Sequence, residues 1–236
     1  MDQFDALDGA LFSIQEQLGY QFQNPEHLRL AFIHRSFANE YPPLDGRHNE
    51  RLEFLGDSVL GLIVSDFLYQ SLPEEAEGEL SHLRAFLVGA ECCAEYTQIL
   101  GVGQWVLLGK GEQMNQGRGR ETILADLLEA IIGAVYIDGG LDAAKQFFLL
   151  HFSERLKGAM KSPQRNWKAE LQDYSQKRTQ KPPVYRVTGE EGPDHNKLFS
   201  VEVLVAESVV GAGKGSSKKQ AEQEAAEAAL KELTGE

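Results

Sequence analysis

Apolar residues recur at helical spacing over residues 1–157 and switch to alternation after that. Leu52, Leu55, Val59 and Leu60 set one helix, which runs on through Ile63, Val64, Phe67 and Leu68 and stops ahead of Pro73. Before it, Phe12, Ile14, Gln17 and Leu18 precede Gly19, a C-terminal stop. Asn24-Pro25 opens the next helix as cap and first residue, with Leu28, Ala31 and Phe32 as its core face. His34 follows on that helix and reads as a structural, hydrogen-bonding histidine. Residues 41–46 form a break and 73–78 an acidic loop. Residues 80–100 read as one helical stretch, closed by Gly101-Val102-Gly103. Residues 109–120 hold four glycines with Lys110, Arg118 and Arg120, and read as a mobile basic loop. Residues 121–136 form a strongly apolar helix, and Phe147, Phe148, Leu150 and Phe152 lie in a last one that fades over 158–163.

Beyond this point the pattern predicts a helix at 167–177, strands at 185–189, 198–205 and 208–213, and a helix at 217–233. Phe199, Val201, Val203 and Val205 share one face of the middle strand. Ala221, Ala225 and Ala228 give the last helix a small face that allows close packing on a sheet. Ser217 and Gln220 have the spacing of a capping box. Lys218 and Lys219 then stand at the positive end of the helix dipole, where a phosphate is held by free N–H groups and both lysines, or the two lysines are simply solvated.

Two helices carry the candidate chemistry. Glu50, Glu53 and Asp57 stand at i, i+3 and i+7, so three carboxylates share a side of the 49–60 helix. Like charges at that spacing destabilise a helix, which leaves a bound cation or a solvated acidic face as readings. Asp126 and Glu129 are the interior charges of the apolar 121–136 helix, three residues apart. Carboxylates in such a segment are costly to bury unless paired or bound to metal. Oxygen ligands from two helices suit Mg²⁺ or Mn²⁺, and no Cys/His cluster has zinc spacing.

The chain of 236 residues has room for one large or two modest domains, and its 42% apolar residues permit a real core. The net charge is −13, with 12 Lys/Arg against 24 Asp/Glu in 1–164 and 11 against 12 in 165–236. A nucleic-acid partner would therefore approach through bound cations and local basic patches, not a general positive field. The acidic start has no signal-peptide pattern, and no apolar run reaches the length of a membrane span. Adjacent Cys92 and Cys93 read as small buried hydrophobes in a reducing, cytoplasmic setting.

Residues 49–60, Asn-Glu-Arg-Leu-Glu-Phe-Leu-Gly-Asp-Ser-Val-Leu, closely resemble the ribonuclease III signature. The segments 31–37, 77–81, 108–112 and 123–130 resemble further family motifs. In the C-terminal part, 181–185, 192–195 and 213–222 resemble the motifs of a double-stranded-RNA-binding domain, whose order is α-β-β-β-α. The resemblance implies an all-α endonuclease domain over 1–157, a linker at 158–164 and the RNA-binding domain over 165–236. It implies Glu53, Asp126 and Glu129 as Mg²⁺ ligands, Mn²⁺ serving in its place, and Asp57 and Glu129 as the residues most sensitive for chemistry. Glu50 and Glu77 match further acidic positions near the family's cleft. It implies RNA contacts from Gln172, His195, Lys214, Ser217, Lys218 and Lys219. A homodimer follows too, with Phe54 as anchor or else as a core residue, and with no organic cofactor and no membrane partner. The implied reaction is cleavage of both strands of duplex RNA, leaving 5′-phosphate, 3′-hydroxyl and short 3′ overhangs, with ribosomal RNA precursors and structured mRNAs as substrates. A non-cleaving duplex-RNA binder and a helical nucleotide phosphohydrolase are the competing readings. The intact carboxylate set argues against the first, and the RNA-binding module against the second.

Overall fold

The computed structural model describes residues 3–114, 119–161, 167–192 and 197–234. It divides into two compact units, Met1–Pro163 and Gln164–Glu236. The first is helical: α1 (Gln3–Leu18), α2 (Pro25–Ala31), α3 (Arg35–Glu40), α4 (Glu50–Ser71), α5 (Glu77–Leu87), α6 (Ala90–Leu100), α7 (Lys110–Met114) and α8 (Arg120–Lys161). Gly140, at φ +80°, breaks α8 into two helical runs, which is why the sequence shows two apolar patterns there.

Local signals set most of these boundaries. Gly19 ends α1 at φ +62°. Asn24 Oδ1 accepts from the Glu26 N–H at 3.2 Å, and Pro25 occupies the first turn of α2. α8 packs on α4, α6 and α2, and this layer holds the core. Leu60, Ile63, Val64, Leu127, Leu128, Ile131, Phe148 and Phe152 are all buried in it. Cys92 and Cys93 are free thiols in the same core.

Several expected boundaries move. α2 ends at Ala31, and His34 instead caps α3. The stretch 80–100 is two helices, because Gly89 is extended at φ −69°, ψ 155°. Glu77 and Gly78 open α5 and do not belong to the acidic loop. Residues 110–114 of the expected loop form α7, and Arg118 lies outside the described residues. The expected linker at 158–164 is helical as far as Lys161, since Ala159 still packs in the core.

The second unit has the order α9 (Trp167–Thr179), β1 (Val184–Glu191), β2 (Leu198–Val205), β3 (Ser208–Gly215) and α10 (Lys218–Thr234). The sheet is antiparallel in the order β1-β2-β3. Val201, Val203 and Val205 are buried on the helix side of β2, as their alternation predicts. The small face of α10 is Ala221, Ala225 and Ala229, spaced at i+4, and Ala228 lies to one side of it. It rests on Gly211, Gly213 and Gly215 of β3, where any Cβ would run into the α10 backbone.

Candidate functional site

The helix pair α4 and α8 brings the acidic residues together. A Cβ at Gly56 would collide with the Glu129 carbonyl, and one at Gly133 with the Leu52 carbonyl. The two backbones therefore touch through reciprocal glycines, one turn from Glu53 on one helix and from Glu129 on the other. Neither glycine stood out in the sequence, where each is one more residue in an apolar helix. Other bonds fix the register. Asn49, 2% exposed, receives the Leu52 and Glu53 amides on its backbone oxygen and gives its Nδ2–H to the Ala31 carbonyl at 3.2 Å. Thr97 Oγ1 on α6 donates to the Leu124 carbonyl at 2.7 Å, just ahead of Asp126.

Glu53, Asp126 and Glu129 each offer a carboxylate oxygen, and all three oxygens lie within 4.8 Å of one another. All three residues are half-buried. Among the described residues this is the one such cluster of three possible metal ligands. The donors are hard oxygens at a spacing that an ion with ~2.1 Å bonds can draw together, so the group fits Mg²⁺ or Mn²⁺. Asp57 stands outside the trio and is exposed, one turn beyond Glu53.

The electrostatics match a site that wants a cation. Burial, followed by the charges of Asp57, Asp126 and Glu53, pushes the Glu129 carboxyl up to about 8. Burial and then Asp126, Glu50 and Asp57 raise Glu53. Burial raises Asp126 as well, with His34 opposing it and Glu50 adding to it. Glu50 is exposed and lies 3.4 Å from Arg35. Glu77 stands apart from the trio, where its Oε1 accepts from Ser81 at 2.8 Å.

Phe54 projects from α4 with 78% of its surface exposed, so within one chain it is not a core residue. It borders a cavity of about 940 Å³ with Leu30, Leu55 and Ile137. Leu62 and Tyr69 are further exposed apolar residues on the same helix.

In the second unit Gln172 and Lys219 line one polar cavity of about 440 Å³, together with Lys168 and Tyr185. Ser217 Oγ accepts from the Gln220 N–H at 3.2 Å, while Gln220 Oε1 turns to the Ser216 N–H at 3.0 Å. The box thus closes one residue early on its return bond. Lys218 pairs with Glu190 at 3.1 Å and stands over the Phe199 ring. Lys214 lies on β3 and its N–H donates to Glu224. His195 lies outside the described residues.

A Ribonuclease-III-like family profile matches residues 24–156, and a Double-stranded RNA binding motif profile matches residues 167–233. The chain is 55% identical over 218 residues to Ribonuclease 3 of Protochlamydia amoebophila, spanning 92% of this chain and 90% of that one. It is 43% identical over 225 residues to Ribonuclease 3 of Syntrophobacter fumaroxidans, spanning 93% of each. Among solved structures, the nuclease domain of ribonuclease III from Campylobacter jejuni is similar at TM-score 0.55 and 38% identity. That match covers 60% of this chain and 94% of the other, which is described as flexible in the region involved in dimer formation.

Proposed function

The chain belongs to the ribonuclease III family and is a double-strand-specific endoribonuclease, and from that premise we propose how it cuts. Glu53, Asp126 and Glu129 hold Mg²⁺, or Mn²⁺ in its place. The observation that carries this reading is the half-buried trio of carboxylate oxygens within 4.8 Å. A divalent ion bound there supplies an acidified water and neutralises charge at the scissile phosphate. Asp57, exposed beside Glu129, orients a water by accepting its hydrogen bond. Gln172, Lys214, Ser217, Lys218, Lys219 and His195 hold the duplex, reading its shape across the minor groove and its phosphates.

The working form is a homodimer in which each site cuts one strand, leaving 5′-phosphate, 3′-hydroxyl and short 3′ overhangs. Phe54 supports this, since it is apolar, adjoins Glu53 in sequence, is exposed, and borders an open cavity with Leu30, Leu55 and Ile137 that a second copy can cover. The natural substrates are ribosomal RNA precursors and structured mRNAs, cut in the cytoplasm. Among the described residues no helix is long and apolar enough to cross a membrane.

A gel assay on a long RNA duplex and its single strand, with Mg²⁺ and with EDTA, tests the reading. Only the duplex with Mg²⁺ should shorten. Asp57→Asn and Glu129→Gln should each slow cutting by about a hundredfold or more and shift the duplex as the parent protein does. A duplex that is bound but uncut by the parent protein in Mg²⁺ would sink the catalytic reading.

A further inference from the structure

Lys218 and Lys219 adjoin in sequence but turn to different neighbours. Lys219 lines the polar cavity with Lys168 and Gln172 of α9. Lys218 turns to the sheet, where its Nζ lies 3.1 Å from Glu190 Oε1 and 5.5 Å from the centre of the Phe199 ring. The strand register explains the meeting. Glu190 of β1 is the direct partner of Phe199 of β2, so the two side chains leave the sheet on one face. Phe199 packs against the core of this unit and gives the lysine a platform. Lys197 Nζ approaches the other oxygen of the same carboxylate, Glu190 Oε2, at 3.6 Å. The hydrogen bond from Lys218 holds the Glu190 carboxyl below its usual range, helped by the charges of Lys218 and Lys197 and opposed by desolvation.

A carboxylate of the chain itself thus stands at the lysine that is to hold a phosphate. The pattern extends beyond this pair. Lys168 meets Glu222 at 2.5 Å, and residues 165–236 carry 11 Lys/Arg against 12 Asp/Glu. Lysines matched in this way give no general positive field to draw in a polyanion. The Lys218 and Glu190 side chains remain 57% and 39% exposed. An ion pair so open to water is weak, and a phosphate can break it. That phosphate then gives up part of its gain, since it replaces an existing partner and approaches a second anion.

We propose that Glu190 is a positioning residue that acts through Lys218 as its internal counter-anion, so that a duplex phosphate engages this lysine by displacing the Glu190 carboxylate. This rests on the reading of Lys218 as an RNA contact. Glu190 keeps the lysine over Phe199 in the free protein and lowers the affinity of the unit for RNA.

The test is the affinity of the full-length protein for a labelled RNA duplex longer than the ~16 base pairs that such a domain spans, read by fluorescence anisotropy in EDTA over a range of salt. Glu190→Gln should bind the duplex about threefold more tightly at about 0.1 M salt. It should also steepen the fall of log affinity with log salt by about 1, as one more lysine is released to neutralise a phosphate. In a Lys218→Ala background Glu190→Gln should change nothing, whereas in Lys219→Ala it should keep its full effect. Glu207→Gln removes an exposed carboxylate at the turn between β2 and β3 and should bind as the parent protein does. Circular dichroism checks that each variant is folded. Parent-like or weaker binding by Glu190→Gln would overturn the proposal. So would an equal gain in the Lys218→Ala background or in Glu207→Gln, which would reduce the effect to net charge. Lys218→Ala that binds the duplex as tightly as the parent protein would instead overturn the RNA contact on which this inference rests.

Discussion

Glu129 sits where burial and three other carboxylates all oppose its charge. Its proton is held to about 8 in the folded, metal-free protein, against 4.5 for an ordinary glutamate. A folded-state pKa above the unfolded one means that the native state binds the extra proton between those two values. The Glu129 contribution to the stability of the metal-free protein is therefore fully present below about pH 4.5 and is lost as pH rises through about 8. One proton gives a slope of at most about 1.4 kcal/mol per pH unit. Urea unfolding in EDTA at several pH values should show this decline, and Glu129→Gln should flatten it. A parent protein equally stable at pH 5.5 and 8 would contradict the assignment. The carboxylates themselves were legible in the sequence, because charges at helical spacing inside apolar runs demand an explanation. The separation of exposed Asp57 from the trio was not, since it depends on how two helices face each other.

At the scale of elements, the site is a property of the α4–α8 contact. Gly133→Ala places a methyl against the Leu52 carbonyl, and neither backbone can yield without moving Glu53 or Glu129. It should destabilise the protein by about 1–3 kcal/mol and cut activity by about a hundredfold. Thermal melting and initial cleavage rates check both. Gly9→Ala is the control, since nothing lies within 4 Å of its Cβ position on α1, and it should gain up to ~1 kcal/mol. Element types followed from periodicity, but some borders did not. The split between α5 and α6 was hidden because Leu83 and Leu87 pass their apolar pattern on to Cys92, Tyr96 and Leu100 without a polar gap. His34 was misplaced onto α2 for a similar reason. Phe32 and Ile33 stay buried after the helix ends, and Ile33 forms a parallel bridge with Leu107.

At the scale of the molecule, each unit holds its own core, one with α4 and α8 at its centre and the other with α10 on a three-stranded sheet. This division was legible from the change in hydrophobic period alone. The exposure of Phe54, Leu62 and Tyr69 was not, because an apolar helix position left open to solvent has the same sequence pattern as one facing the core. In the homodimer reading, Phe54→Asp should turn a dimer into a monomer in analytical ultracentrifugation and lower duplex cleavage by about tenfold or more, with each unit still folded by circular dichroism. A Phe54→Asp protein that remains dimeric and active would remove Phe54 from the interface. The most direct single measurement is anomalous diffraction from crystals of the full-length protein soaked in Mn²⁺. A peak is expected about 2.2 Å from oxygens of Glu53, Asp126 and Glu129. A strong peak elsewhere with the trio empty would contradict it.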